Sequence, residues 1–525
     1  MKELWYGGPI YTMVQENEMV EAVLVENGKI VEIGSIDKLK MKADAFGDLE
    51  GAAMYPGFVD SHLHILFHGE KLIRLDLSKA ASAEEMLAMV RDAAKNTPSD
   101  KWLFGEGWNE NNFSDKRIPT MQELDAIRTA PILLTRVCHH VILGNSAALQ
   151  AGGIQEDTES PAGGKIGRDH QMKLNGLLYE QACNMVTNAI PREGEAYIQD
   201  LVGSLNLAID DMLSKGLTGG HTEDMSYFGV FTNPLTAYER VIGEKHHFRV
   251  NLLRHHTVFE EMMKADLSFD EPFIEPGAMK IFADGSLGGA TAALIEPYSD
   301  QPSNKGLLIH TDDQLEELVK LARKYNEAIA VHMIGDAAAE QVVKAIEKYP
   351  ITKGKRDRLI HCCVLNEDLL NRMTKLPAVI DIQPAFVSSD FPWVRERLGE
   401  ARLEYAYAWK KMLDSGMMCA AGTDAPIEDI NPIASIYAAV ERKKPFSDNE
   451  SYLPEEKLTR FEAIRAYTYG SAQAIGKEDV RGLIQPGYDA DFSIFNRDLF
   501  DGTSEDMLQA KAVKTVVAGR IVFEL

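Results

Sequence analysis

The rhythm of hydrophobic and polar positions changes twice along this chain. Over the first fifty residues, apolar positions come in short strand-like runs. Residues 20–26 and 29–34 flank Asn27-Gly28, a dipeptide that favours a tight hairpin. The last forty residues have the same character: residues 482–484, 490–495 and 512–523 are alternating or β-branched runs, parted by Pro486-Gly487 and other turn formers. Neither end has strands enough to bury a face alone, so residues 1–53 and 480–525 are expected to share one β-sheet domain.

Between the ends, apolar runs of strand length alternate with amphipathic helical stretches, the signature of a parallel sheet wrapped by helices. Eight such runs are read, at residues 53–61, 217–222, 248–256, 278–283, 328–333, 358–364, 378–382 and 417–423. Eight parallel strands predict an α/β fold of the closed (β/α)8 TIM-barrel type, here assigned to residues 54–66 plus 192–479. The gap after strand one is far longer than the roughly 30 residues of one strand-helix unit. Residues 67–191 are therefore expected to form an insertion subdomain over the barrel mouth.

Composition narrows the function. The 525 residues carry a formal net charge of −25, with 45% hydrophobic residues, so the chain is long enough for a large core and is acidic. Such a charge disfavours phosphate backbones, and the longest basic run is Arg442, Lys443, Lys444. Nucleic acid is excluded as an expected partner. Membrane association is likewise not expected, because no uncharged apolar run approaches the roughly 20 residues that span a bilayer. The N-terminal residues lack the apolar stretch of a secretory signal, and five cysteines without CxxC spacing suit reduced thiols; the reading is a cytoplasmic protein. A small-molecule substrate is expected, and self-association into a homo-oligomer is left open.

The chemistry sits at strand ends. In the first run, His62 and His64 are two residues apart, so on a strand they point the same way. The ends of strands four, five, six and eight offer Lys280, His332, His361 and Asp424. The C-terminal face of a barrel is where its enzymes place their chemistry. An ammonium has no lone pair for a metal, so Lys280 fits among ligands only as a carbamate formed with carbon dioxide, whose oxygens can bridge two ions. Two divalent ions about 3.5–4 Å apart can share a hydroxide and polarise a carbonyl, with Asp424 moving the proton. Zinc suits the donors. The implied reaction is hydrolysis.

These residues resemble the amidohydrolase superfamily, in the branch that includes N-substituted formamide deformylase. The resemblance covers nearly the whole chain. It is carried by PGFVDSHLH at 56–64, GEGWNE at 105–110, HVILGNSAAL at 140–149, GLLYE at 176–180, KIFADGSLGGATAAL at 280–294, HMIGDAA at 332–338, QPAF at 383–386, LGEAR at 398–402 and GTDAPIEDINPI at 422–433. It implies that His62, His64 and Asp424 hold one metal, that His332 and His361 hold a second, and that carboxylated Lys280 bridges them. It also implies that the chain ends build a composite β-sandwich, and that the bond cleaved is an amide-type C–N bond of an N-substituted formamide or acylated amine. Ile360 stands where similar chains often have Glu, and residues 169–176 lack the usual Gly and Pro-Thr, which bears on the substrate. Trp108, Asn109, His140, His221 and His255, with His256 beside it, are expected around the substrate. Two readings compete: a mononuclear deaminase on the same barrel, and a non-catalytic assembly protein that has lost its metals.

Overall fold

The computed structural model describes residues 1–137, 140–161, 163–243, 245–265, 267, 269 and 271–525. It divides into two compact units, Met1–His68 with Leu201–Leu525, and Gly69–Asp200.

The first unit is built on eight parallel strands: β1 (Phe58–Leu63), β2 (Leu217–Thr222), β3 (Arg249–His255), β4 (Ile274–Phe282), β5 (Ile329–Met333), β6 (Asp357–His361), β7 (Ala378–Ile382) and β8 (Met418–Ala421). They neighbour one another in sequence order, so the sheet wraps into a nearly closed barrel. Every residue of β2, β6 and β7 is buried, as expected of strands covered on both faces. The helix Asp312–Lys324 between β4 and β5 shows how the covering layer forms. Thr311 and Gln314 make a capping box at its start, and Leu315, Val319 and Ala322 line the face it buries.

Between β8 and β1 the seam is bridged by loop hydrogen bonds. Asp424 N–H donates to the His62 carbonyl at 2.7 Å, and His64 N–H donates to the Ala425 carbonyl at 2.8 Å. The Asp60 carboxylate accepts from Thr423 N–H at 3.1 Å and from Thr423 Oγ1 at 2.6 Å. Gly422 makes this approach feasible, since a Cβ there would lie 2.5 Å from both Asp60 Oδ1 and His62 N.

The apolar run at 53–61 is not one strand. Ala53–Pro56 belongs to another sheet and pairs antiparallel with Phe492–Phe495, while β1 starts at Phe58. Gly57 is the joint: a Cβ there would lie 2.5 Å from Thr218 Oγ1. Hydrophobicity is continuous across the joint because both strands are buried, which is why the pattern hides it. That other sheet has eight strands. Its path runs Arg520–Glu524, Ala512–Val517, Phe492–Phe495, Ala53–Pro56, Lys2–Tyr11, Met19–Glu26 and Lys29–Gly34, with Ala45–Asp48 beside Lys2–Tyr11. Trp5, Ile10, Val23, Met54, Phe492, Ile494 and Val516 share its core.

The second unit spans Gly69–Asp200, against the 67–191 expected of the insertion. It holds a six-stranded sheet with the helix Ala83–Asn96, and Met86, Leu87, Val90, Trp108 and Leu134 lie in its core. Cys138 lies outside the described residues, and the described cysteines form no disulfide. Among the described residues no helix is long and apolar enough to cross a membrane.

The shared sheet generates a test. Phe492 is fully buried and packs edge-on to Trp5, with ring centroids 6.2 Å apart. Phe492→Ala should cost about 3–5 kcal/mol in denaturant unfolding and speed amide exchange in Lys2–Tyr11, far away in sequence. An unchanged unfolding midpoint would show that the two ends do not depend on each other.

Candidate metal centre

Five of the eight strands deliver the candidate ligands to one end of the barrel. His62 lies in β1 and His64 just beyond it, their rings 5.8 Å apart. Both Nε2 atoms approach Asp424 Oδ1 at 3.5 Å, and these three side chains form a compact group of metal-ligating type. Lys280 in β4 donates to His62 Nε2 at 3.1 Å. His332 in β5 and His361 at the end of β6 lie with ring centroids 4.6 Å apart, and His361 is 5.7 Å from His62. All six predicted side chains are therefore brought together.

Parallel register explains the meeting. His255 pairs with Lys280, Phe282 with His332 and Met333 with His361, which puts successive strand ends at one level. Two of the residues are held in the left-handed region, His361 at φ 74° and Asp424 at φ 58°. Such backbone costs on the order of 1–3 kcal/mol each and persists only where the surroundings over-determine it.

Hydrogen bonds fix which imidazole nitrogen each residue keeps available. His64 donates Nδ1–H to the Glu223 carbonyl at 2.7 Å, and His361 donates Nδ1–H to Gln383 Oε1 at 2.6 Å, leaving Nε2 on both. His332 donates Nε2–H to the Gly285 carbonyl at 3.0 Å, leaving Nδ1. This is the orienting contact a metal-bound imidazole requires. Burial, with the Lys280 charge beside it, holds His62 well below the usual imidazole range. Burial and His361 do the same for His332, and burial brings His361 itself down to about 4. Burial also brings Lys280 down to about 8. Asp424 is pushed up by burial, but the His64 hydrogen bond and the nearby positive charges outweigh this and hold it below its ordinary value. His64 moves the opposite way from the other imidazoles: burial lowers it, but the Asp424 carboxylate outweighs this and raises it. Three imidazoles held neutral, a fourth paired with an ionised carboxylate, and an amine brought toward deprotonation are a donor set that fits divalent metal.

Beneath the ligands lies a buried ion pair. Asp381 in β7 accepts from Arg358 Nε in β6 at 2.9 Å and from Ser61 Oγ, and Arg358 also reaches the Ser61 carbonyl.

The expected substrate contacts scatter. His255 is half-buried at the barrel end, its ring 5.8 Å from Phe282 and 4.4 Å from His256, with Nδ1 accepting from Thr257 Oγ1 at 2.7 Å. His221 does not reach the ligand end. It is buried and lines a cavity with Gly57, Thr218, Arg249 and Asn251, residues from the first halves of their strands or just before them. Trp108 is fully buried in the second unit's core, with its indole N–H donated to the Leu134 carbonyl at 3.1 Å. It is a core aromatic there, and its ring has no free face for a substrate. Asn109 caps the short turn Glu110–Asn112. His140 is exposed and bonds Glu180 through Nδ1 at 2.9 Å.

Sequence reasoning missed four polar residues at this end: Glu223, Asp224, Asp284 and Gln383. Each follows a strand, in HTED at 221–224, ADG at 283–285 and DIQP at 381–384, so strand-end position was the available signal. Burial pushes Glu223 up to about 8. Asp284 rises to about 7 for the same reason, against three backbone N–H donors from Ala293, Ile334 and Gly335 at 2.8–3.0 Å.

Parallel strands with imidazoles, a lysine and a carboxylate gathered at one end are the architecture of a metal-dependent barrel hydrolase. This chain belongs to the amidohydrolase family, which it matches over residues 46–523. The protein YtcJ of Bacillus subtilis (strain 168) is 45% identical over 536 residues, spanning 100% of both chains. N-substituted formamide deformylase of Arthrobacter pascens is 25% identical over 98% of this chain and 97% of its own. An uncharacterized metal-dependent hydrolase from Pyrococcus furiosus has the same fold at a TM-score of 0.81, with 28% identity over 95% of this chain and 100% of that one.

The buried histidines generate a pH dependence. His361 titrates near 4 in the folded protein and near 6.5 when unfolded, so between these values the unfolded chain binds more protons. The stability this contributes is complete above about pH 6.5 and lost as pH falls to about 4. Metal-free protein should lose about 3 kcal/mol from His361 alone between pH 7 and 4, with His62 and His332 acting in the same direction. Denaturant titrations at the two pH values measure it, and a flat response would mean that these imidazoles are solvated.

Proposed function

We propose that this chain hydrolyses an amide-type C–N bond in a small acylated amine, an N-substituted formamide being the nearest model substrate. The observation that carries the reading is the convergence of His62, His64, Lys280, His332, His361 and Asp424 at one barrel end. His62, His64 and Asp424 would hold one divalent ion, and His332 and His361 a second. The Lys280 amine, brought down to about 8 by burial, would lose its proton and add carbon dioxide. A nitrogen–carbon bond would form as a further proton leaves, and the resulting carbamate would be the oxygen donor that Lys280 offers to the metals.

Two such ions, zinc by the nature of the donors, would supply Lewis acidity toward the carbonyl and a water acidified to near-neutral pH. The chain's own residues do the rest. The Asp424 carboxylate, held ionised beside His64, receives the proton of the attacking water and returns it to the leaving nitrogen. The Gln383, Gly285 and Glu223 acceptors keep the three imidazoles oriented. Phe386 stacks on His361 at 5.7 Å between centroids and Phe282 lies tilted against His332 at 5.2 Å, giving that side an apolar wall. A one-metal deaminase would rest on the compact His62, His64 and Asp424 group, but it leaves Lys280 and the His332–His361 pair without a role.

Elemental analysis should find about two divalent ions per chain, and one ion would favour the deaminase. Asp424→Asn keeps an oxygen that can ligate but carries no proton. It should retain most of the metal and the fold while losing at least about 10²-fold in turnover of an acylated amine. A metal-loaded variant turning over at the parental rate would remove Asp424 from the mechanism.

A further inference from the structure

After β2 the chain turns out of the barrel through Glu223 and Asp224, both fully buried. Their carboxylates are treated very differently. Asp224 accepts from Thr222 Oγ1 and Tyr238 Oη, each at 2.6 Å, and from Leu66 N–H at 3.3 Å. Among the described residues, Glu223 is the one carboxylate whose two oxygens are both buried and without a hydrogen-bond partner. A buried acceptor left bare costs free energy, so native proteins satisfy nearly all of them. Lys280 and His64 act on Glu223 through their charge but donate no hydrogen bond to it, so the bare pair at Glu223 marks a place where a donor from outside the chain belongs.

The position of Glu223 says which donor. Its backbone is pinned to the ligand group from both sides, the carbonyl accepting His64 Nδ1–H at 2.7 Å and the N–H donating to the Leu63 carbonyl at 3.1 Å. The other nitrogen of the same imidazole faces Asp424 at 3.5 Å. The Glu223 carbonyl and the Asp424 carboxylate therefore flank His64, and the Lys280 and His64 charges act on the Glu223 carboxylate from the same ligand group, whose Asp424 serves the leaving nitrogen in the proposed mechanism. Tyr227 and Phe67 wall His64, their rings each 5.9 Å from it and 5.3 Å from one another.

We propose that Glu223 is the specificity-determining residue of this site: a carboxyl oxygen of Glu223 accepts the N–H of the scissile amide, so the enzyme takes secondary amides of primary amines and rejects N,N-disubstituted amides. The inference rests on the amide-hydrolase reading and on the role assigned to Asp424. A site built to bond a substrate N–H penalises an analogue lacking it, because the buried acceptor is left unpaired.

The test uses metal-loaded parent, Glu223→Gln and Glu223→Ala proteins with N-butylformamide and N-butyl-N-methylformamide. The parent should prefer the first substrate by about a hundredfold or more in kcat/KM. Glu223→Ala should bring the ratio near one by slowing the secondary amide, and Glu223→Gln, whose carbonyl still accepts, should keep part of the preference. All three should carry equal metal. Calorimetric binding of the same pair to Asp424→Asn reads the preference without turnover. A ratio unmoved by either substitution overturns the inference alone. Loss of a metal ion on substitution overturns it by making Glu223 a ligand. A parent that neither binds nor hydrolyses either amide removes the amide-hydrolase reading itself, and this inference with it.

Discussion

A barrel of eight strands is defined by how its last strand meets its first, and here that meeting is made by a few hydrogen bonds next to the chemistry. Thr423 is held on the Asp60 carboxylate, Asp424 N–H on the His62 carbonyl, and His64 N–H on the Ala425 carbonyl. These bonds join Asp424, on one side of the seam, to the two histidines on the other. The absence of a side chain at Gly422 and the left-handed backbone at Asp424 are both consequences of bringing the strands this close. Closure of the fold and assembly of the site are thus one event, and a change that loosens the seam acts on both.

Burial sets the electrostatics of everything gathered there. The groups at the barrel end are largely buried, so each moves toward its neutral form unless a charge or hydrogen bond opposes the shift. His62, His332, His361 and Lys280 follow the rule, while His64 and Asp424 escape it together, His64 raised and Asp424 lowered by their contact. One layer down, the Arg358 and Asp381 charges are tolerated because they satisfy each other and Ser61. A buried pair of this kind is a weak source of net stability but a strict positional constraint, since losing either partner strands the other. It ties β1, β6 and β7 together directly below the strand ends that carry His62 and His361.

Much of this was legible in the order of residues. Parallel strands buried on both faces announce themselves as apolar runs, and a polar residue at the end of such a run stands out; that is how Lys280, His332, His361 and Asp424 could be read. The same signal existed for Glu223 and Asp284, but a carboxylate just past a strand is ordinarily a turn or capping residue, and only burial separates the two cases. The joint at Gly57 was hidden because hydrophobicity does not change across it. Trp108 and His221 show the opposite limit. A motif-borne aromatic and a strand-end histidine looked like pocket residues, yet the direction in which each side chain points is decided by packing that no local pattern records.

The sheet built from both chain ends bears on how the protein is made. On the ribosome, Ala53–Pro56 emerges early, while its partner Phe492–Phe495 follows roughly 440 residues later, which at ordinary elongation rates is a delay on the order of a minute. Through that interval the nascent chain carries an incomplete sheet whose Ala53–Pro56 edge stays open, the usual template for pairing with the wrong molecule. The edge is poorly suited to that misuse. It is four residues long and ends in Pro56, which has no N–H to offer. A strand that must wait longest for its neighbour is also the one least able to recruit a stranger.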